Sequence, residues 1–173
     1  MYLRIVVLVW IFNRPLSHAI APWFLPLGAV AMAVGLVWSR VPSQDPEGPA
    51  PAPGVHNPLE LKAAFFFAFI FLIMVVATHW ATANLGRGGV FSLAALMGVT
   101  DVDPFIMGLT QEAGRATSFH VAAVSIVIAT ACNNVVKGCY AWFFAQNTPR
   151  TGRWMFLFLS GLGLLGLVPA FWL

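Results

Sequence analysis

Two aspartates inside an apolar stretch are the residues whose type and spacing point most directly to chemistry. Asp101 and Asp103 lie in Gly98-Val-Thr-Asp-Val-Asp-Pro104, within an otherwise apolar segment from Gly88 to Leu109. Carboxylates are rare in membrane segments, where they usually face a bundle interior or an aqueous cavity. Pro104 has no backbone N–H and disfavours helical geometry at Asp103, so we expect a helix break here. Many transporters build a cation site from such a break; the alternative is a kink or loop whose acids are solvated or cap the next helix.

A second polar group lies on a later apolar segment, 119–145, which is long enough to span a bilayer. Its polar residues follow helical spacing and share one face. Lys137 lies inside this segment and needs an anion, and the two aspartates are the nearest acids by depth. We therefore expect Lys137 within salt-bridge or single-water reach of one of them. The predicted cation or proton site comprises Asp101, Asp103, Asn133, Asn134 and Lys137, supported by Thr100, Thr130, Glu60 and Lys62.

The same residues also fit a purely structural role. An intramembrane salt bridge can pin two helices together and move nothing. Glu60 and Lys62 also suit a capped helix start with a snorkelling lysine. Both alternatives stay open at the level of sequence.

Composition places the chain among integral membrane proteins. It is 60% hydrophobic and 9% charged, whereas soluble domains carry roughly 25% charged residues. The net charge of +3 is dispersed, without a basic run, which excludes a nucleic-acid partner. Cys132 and Cys139 would be about 10 Å apart along a helix, too far for a disulfide, so they indicate apolar packing. The sequence shows no metal-ligand pair, cofactor fingerprint or nucleophile–base pair, so we predict neither an enzyme nor a bound cofactor or metal centre.

The pattern predicts an all-α polytopic membrane protein. We expect about four full crossings plus a short N-terminal helix, with one crossing broken at Thr100–Asp103. A helix over the first 12 residues is only about 18 Å long, against about 30 Å of hydrocarbon, and indicates a half-helix or the end of a spanning helix. The predicted parts are an N-terminal helical piece (1–38), a Pro-rich linker (39–58) and a C-terminal helical bundle (59–173).

A weak internal repeat accompanies this division. Tyr2-Leu-Arg4 resembles Val135-Val-Lys137, and each is followed by an apolar run, a basic turn and a spanning helix that contains Gly28 or Gly161. Such a duplication is common in transporters. The piece 1–38 would then be the end of a first repeat.

The membrane topology depends on the segment 88–113. A single broken crossing places Arg14, Arg87, Arg150 and Arg153 on one side, which the positive-inside rule makes cytoplasmic. A re-entrant segment divides the arginines evenly, and the rule then decides nothing. We expect the single broken crossing.

Three motifs together resemble a known family. They are Asn57-Pro-Leu-Glu-Leu-Lys-Ala-Ala64, Gly98-Val-Thr-Asp-Val-Asp103 and Asn133-Asn-Val-Val-Lys137. The chain resembles the bacterial multi-pass domain of unknown function found C-terminal to MgtC/SapB-type membrane domains, and departs from it at Pro104 and Asn134. The resemblance implies the bacterial inner membrane and a truncated or split version, since family members carry further membrane segments before the equivalent of Met1. MgtC-like relatives are linked to magnesium limitation, which makes ion handling an expectation.

Two functions remain as hypotheses. The first is a transport-type membrane protein, or a fragment of one, whose polar cluster handles a cation or proton. The second is a non-transporting accessory or regulatory subunit that packs against another membrane protein. The expected partners are the lipid bilayer, a cation, and either further copies of the chain or a partner membrane subunit.

Overall fold

The computed structural model describes residues 1–40, 61–145 and 149–171. They form six α helices and one short 3₁₀ helix, and the described part of the chain contains no β strand. The predicted linker and Glu60 lie outside the described residues, so the division into an N-terminal piece, a linker and a bundle stays a prediction. The elements are α1 (Tyr2–Phe12), α2 (Arg14–Ser39), α3 (Leu61–Val99), α4 (Val102–Glu112), α5 (Phe119–Phe144), α6 (Pro149–Leu167) and the 3₁₀ helix Val168–Phe171.

The helical, apolar architecture confirms the predicted class of membrane protein. Within the described residues, three spans are long and apolar enough to cross a membrane: Arg14–Ser39, Phe119–Phe144 and Arg150–Phe171. α5 is the central helix, because 67% of its spanning window is buried, against 11% for the first span and 22% for the third. The remaining expected crossing, in the first part of α3, stays a prediction.

The helices share one apolar core. Its largest fully buried side chains include Phe24 from α2, Phe105 from α4 and Ile126 from α5. α1 contributes Ile5 and Val9 to the same cluster. The turn between α1 and α2 is fixed by Asn13, whose side chain accepts a hydrogen bond from Leu16 N at 3.2 Å. The N-terminal helices therefore pack into the bundle and do not stand apart from it.

α3 breaks at Gly86. Gly86 has φ 59° and ψ −148°, a conformation that glycine adopts without the steric cost of a side chain. The part after the break, 87–99, then runs along α5 in the same direction. Val90 lines one pocket with Val121 near the start of α5, and Gly98 O accepts a hydrogen bond from Asn133 Nδ2 at 3.0 Å.

α4 then returns to the side from which 87–99 entered. Its last residues reach the start of α5 through a short turn, in which Gly114 N donates to Thr117 O at 2.8 Å. Glu112 also lies 4.0 Å from His79, in the part of α3 before the break. Residues 87–112 therefore form a re-entrant hairpin, and the expected single broken crossing is wrong. Hydropathy does not separate the two cases, because both need two short apolar halves around a polar break.

The re-entrant geometry removes the expected charge asymmetry. Three arginines (Arg14, Arg87, Arg115) lie at the end of the bundle where α5 begins, and three (Arg40, Arg150, Arg153) lie at the other end. The positive-inside rule therefore gives no orientation.

The helix break lies at Asp101, whereas Pro104 alone would place non-helical geometry at Asp103. Asp101 has extended geometry (φ −124°, ψ 118°) and is the N-cap of α4, while Asp103 is already helical. Pro104 lies in the first turn of α4, where its missing N–H would have no intrahelical partner. The tertiary fold thus overrides the local preference against helical geometry at Asp103.

A close helix contact holds the hairpin against α5. A Cβ on Gly98 would overlap the Cβ of Cys132 and lie 2.7 Å from Ala129 O. Gly88 has open space around it.

We expect Gly98→Ala to destabilise the protein by about 1–3 kcal/mol, because overpacking forces the helices apart. Gly88→Ala is the matched control and should leave stability unchanged or slightly higher, since alanine favours a helix more than glycine does. The measurement is thermal unfolding in detergent. Equal midpoints for the two variants would contradict the close contact.

Candidate functional site

The tip of the re-entrant hairpin carries both aspartates. Asp103 accepts a salt bridge from Arg4 Nη2 at 2.8 Å, with side-chain exposures of 20% and 57%. Asp101 is exposed, and its carboxylate accepts a hydrogen bond from Asp103 N at 3.1 Å. Among the described residues, Asp101 forms no ion pair. The two acids are thus unequal, since Asp103 is paired with Arg4 and Asp101 caps the start of α4.

Among the described residues, Lys137 forms no direct ion pair with Asp101 or Asp103, and the expected single-water reach stays a prediction. Its side chain is exposed, and its Nζ lies 3.7 Å from the sulfur of Met1. Arg4 occupies the position beside Asp103 that the sequence interpretation gave to Lys137. The reason is the packing of α1 alongside α4, in parallel, which brings Arg4 to the start of α4 and Asn13 to its end.

Asn133 is buried where 87–99 ends. Its Nδ2 donates to Gly98 O, which fixes the orientation of the amide. Its Oδ1 is buried and has no hydrogen-bond partner among the described residues. A buried acceptor without a donor costs about 1–3 kcal/mol. A hydrogen-bond donor that the described residues do not supply, such as a water, would satisfy this oxygen.

Asn134 serves a different, structural purpose. Its Nδ2 donates to Tyr2 Oη at 2.8 Å, and that hydroxyl donates to Leu162 O at 2.9 Å. The chain of bonds joins α5, α1 and α6 and satisfies every polar atom it uses in the apolar core. Tyr2 and Arg4 contact the predicted site residues in the structure, but the set of site residues predicted from sequence does not include them. An arginine in an apolar helix is itself a signal of an intramembrane partner.

The supporting positions contribute little. Thr130 is buried and donates to Ile126 O at 2.7 Å within its own helix. Thr100 is exposed, and its hydroxyl lies 3.4 Å from Met97 O. Glu60 and the side chain of Lys62 lie outside the described residues, so their predicted roles stay predictions.

Two helical hairpins lead away from the Tyr2–Asn134 contact in opposite directions. α1 runs from this contact toward the start of α5, and α2 passes back beside it at Gly28, where an added Cβ would lie 3.4 Å from Tyr2 Cβ. The second half of α5 runs the other way, and α6 passes back at Gly163, where an added Cβ would lie 3.4 Å from Asn134 Cβ. The predicted repeat paired Gly28 with Gly161, which has no such close neighbour. The repeat itself stays a prediction.

The site offers oxygen ligands and few charges. The carboxylate of Asp101 and the carbonyl end of 87–99 lie at the break, and the side chain of Asn133 donates to Gly98 O just before it. A helix C-terminus favours cations. The part of the chain that the structure describes contains no group of three or more His, Cys, Asp or Glu side chains that could hold a metal ion. Cys132 and Cys139 are free, as expected.

These features define a polytopic helical membrane protein with a polar re-entrant hairpin. The chain belongs to the family described as domain of unknown function (DUF4010), whose model matches residues 1–145. The predicted resemblance to a multi-pass domain of unknown function is thereby confirmed, while its association with MgtC/SapB-type proteins stays a prediction.

One relative comes from Aquifex aeolicus (strain VF5) and is named "Uncharacterized protein". It is 25% identical over 149 residues, which cover 85% of this chain and 64% of the relative. The chain thus spans somewhat less than two thirds of that relative's length. No solved structure matches the chain significantly.

The Arg4–Asp103 contact gives a stability prediction. We expect Arg4→Met to lower the free energy of unfolding by about 0.5–1 kcal/mol, since the pair is partly exposed. Adding Asp103→Asn should restore much of that loss, because no charge is then left without its partner. Lys137→Met is the control and should change stability less than Arg4→Met does.

A double-mutant cycle of detergent unfolding midpoints measures this coupling. Additive effects of Arg4→Met and Asp103→Asn would show that the two side chains are not paired in the folded protein.

Proposed function

We propose that the protein is a transport-type membrane protein, or a part of one, that handles a cation or proton at the hairpin tip. The observation that carries the proposal is the unpaired Oδ1 of Asn133, buried at the end of 87–99 beside a break that holds the charged Asp101. Asn133 Oδ1 is a buried acceptor without a donor, and Asp101 near the same break is a carboxylate without an ion pair. A bound cation or proton would satisfy both groups.

The wider architecture supports this function. Non-helical backbone at membrane depth is tolerated where it is buried in protein or lines a water-filled cavity. Many transporters place their ions at such breaks, between inverted repeats related by an axis in the membrane plane. The hairpins α1–α2 and α5–α6 diverge from the Tyr2–Asn134 contact in the same opposed manner. Alternating access would then tilt one hairpin against the other around the tip.

The localisation and the wider context follow the family resemblance. We place the protein in the bacterial inner membrane, as a multi-pass protein that works beside MgtC/SapB-type domains. This placement is part of the proposal. A partner membrane subunit or further copies of the chain belong to the same proposal.

An accessory subunit is the second candidate, and the exposed cations favour it. Arg4 has a side-chain exposure of 57%, and Lys137 is exposed near the same depth. Lys137 is about 28 Å along α5 from its start, which puts it inside roughly 30 Å of hydrocarbon centred on a longer helix. Charges there need water or another protein beside them. A partner membrane protein packed against this face would supply the protein contact.

Asp101→Asn separates charge from capping. Asparagine is as good an N-cap as aspartate, so α4 should keep its start and the protein its thermal stability. The variant removes the charge that a cation site needs, and we expect cation-driven flux in reconstituted vesicles to be lost. Glu112→Gln removes a carboxylate at the other end of α4 and is the matched control, with flux retained.

Two results decide between the candidates. Flux that is present in the original chain and the Glu112 variant but absent in Asp101→Asn supports transport. Unchanged flux in folded Asp101→Asn, or no cation flux in any chain, would reject the transport reading and leave the accessory subunit.

A further inference from the structure

We infer that a second copy of this chain packs against the hairpin tip, so that Lys137 of each copy lies beside Asp101 of the other. The inference deepens the proposed function by naming the partner of the tip, and it rests on the part of that function that places the chain across a membrane. It is carried by the exposure of the charged side chains at the tip, by their depth and by the mixture of their signs.

The charged side chains of the tip are exposed although they offset one another. Arg4 is bonded to Asp103 at 2.8 Å and still has a side-chain exposure of 57%. Asp101 and Lys137 are exposed as well. Arg4 and Lys137 both attract the carboxylate of Asp103, and the four side chains together carry no net charge. These groups therefore do not need a further counter-ion. They need polar surroundings, which lipid does not provide.

The exposed arginine lies near the middle of the bundle. Tyr2 meets Asn134, which is about 22 Å along α5, and Arg4 follows Tyr2 by about 3 Å toward the start of α5. Arg4 is therefore about 20 Å along a helix of about 39 Å, close to the centre of roughly 30 Å of hydrocarbon. Long cationic side chains reach the headgroups when they lie near helix ends. Arg4 is too deep for this escape.

Apolar side chains flank the exposed charges on both helices. Val7 lies one turn after Arg4 on α1 and is 50% exposed, and Tyr140 lies one turn after Lys137 on α5 and is 54% exposed. Contacts around a polar centre exclude water and strengthen it when two proteins pack together. The pattern of charges with apolar neighbours thus fits a protein interface.

The mixture of signs favours a second copy over a different partner. A twofold axis along the membrane normal leaves each residue at its own depth and brings the same surface of both copies together. Asp101 and Lys137 lie within about one helical turn of each other in depth, because Gly98 is level with Asn133. Each acid of one copy can then meet a base of the other. A partner surface of one sign would repel either the acids or the bases.

Cross-linking tests whether this face meets itself. In a chain whose Cys132 and Cys139 are alanine, Val7→Cys places a thiol on the proposed interface. Leu164→Cys is the matched control, because Leu164 is 63% exposed and lies on α6, on the side of α1 that Tyr2 faces and Arg4 does not. A short, apolar bifunctional thiol reagent in native membranes should give several-fold more dimer at position 7. Equal or less dimer at position 7 than at position 164 would overturn the inference.

A charge exchange between copies tests the pairing itself. Asp101→Lys and Lys137→Asp each place like charges across the interface, so we expect each variant alone to lose most of the dimer seen by light scattering in detergent. Co-expression of the two variants under different tags restores opposite charges only between copies, and the two chains should then co-purify. Folded variants that fail to co-purify, or that dimerise fully on their own, would contradict the pairing. If Asp101→Lys does not fold, the cross-linking at position 7 decides the question.

Failure of this inference differs from failure of the proposed function. Cation flux carried by a chain that is monomeric in vesicles would overturn the second copy and leave the transport function standing. A dimer joined through position 7 that carries no cation flux would support the interface and reject transport.

Discussion

The approach of Gly98 to α5 is the constraint on which the rest of the architecture depends. A helix that stops inside a bilayer exposes carbonyl groups that lipid cannot satisfy. Here the end of the helix 87–99 is tolerated because the backbone at Gly98 lies close enough to α5 for Asn133 to donate to its carbonyl oxygen. A side chain at that position would separate the two helices. The hairpin tip, and with it both acids, would then lose its fixed position against α5.

The polar residues of the tip fall into two groups, those that pair with each other between helices and those without such a partner. Arg4 and Asp103 neutralise each other and join α1 to α4, which is a structural task. Asn134 and Tyr2 likewise satisfy each other between helices. Asp101 and the oxygen of Asn133 are left without such partners. An intramembrane group that serves stability alone is usually paired, so the proposed function rests on these two groups of the tip. The buried hydroxyls of Ser125 and Ser160 also lack a partner among the described residues.

Much of the local structure was predictable, because it depends on residues close in sequence. The break near Asp101, the Ser118 cap of α5 and the interruption at Gly86 each follow from turn and capping chemistry. The burial of Asn133 and Asn134 agrees with a polar face turned into the bundle.

The pairing of helices was not predictable in the same way. Arg4 and Asp103 are far apart in sequence, and helical periodicity does not report which distant helices meet. Lys137 was chosen as the partner of the aspartates only because it lies at a similar depth along the bundle. Arg4 on α1 lies at that depth too. The re-entrant path was the alternative that the sequence left open, and the charge rule favoured the other choice because it expects more arginines on one side. One signal did favour the re-entrant path, since each half of the segment is shorter than a bilayer is thick.

The sidedness of Arg87 and Arg115 tests the central claim, that 87–112 enters and leaves the membrane on one side. Each would be replaced in turn by cysteine, in a chain whose Cys132 and Cys139 are alanine, with Arg40→Cys marking the opposite side. Labelling with a membrane-impermeant thiol reagent in sealed vesicles of determined orientation gives the side of each position. A re-entrant hairpin predicts that positions 87 and 115 label from the same side and position 40 from the other. Labelling of 87 and 115 from opposite sides would contradict the hairpin and restore a single broken crossing.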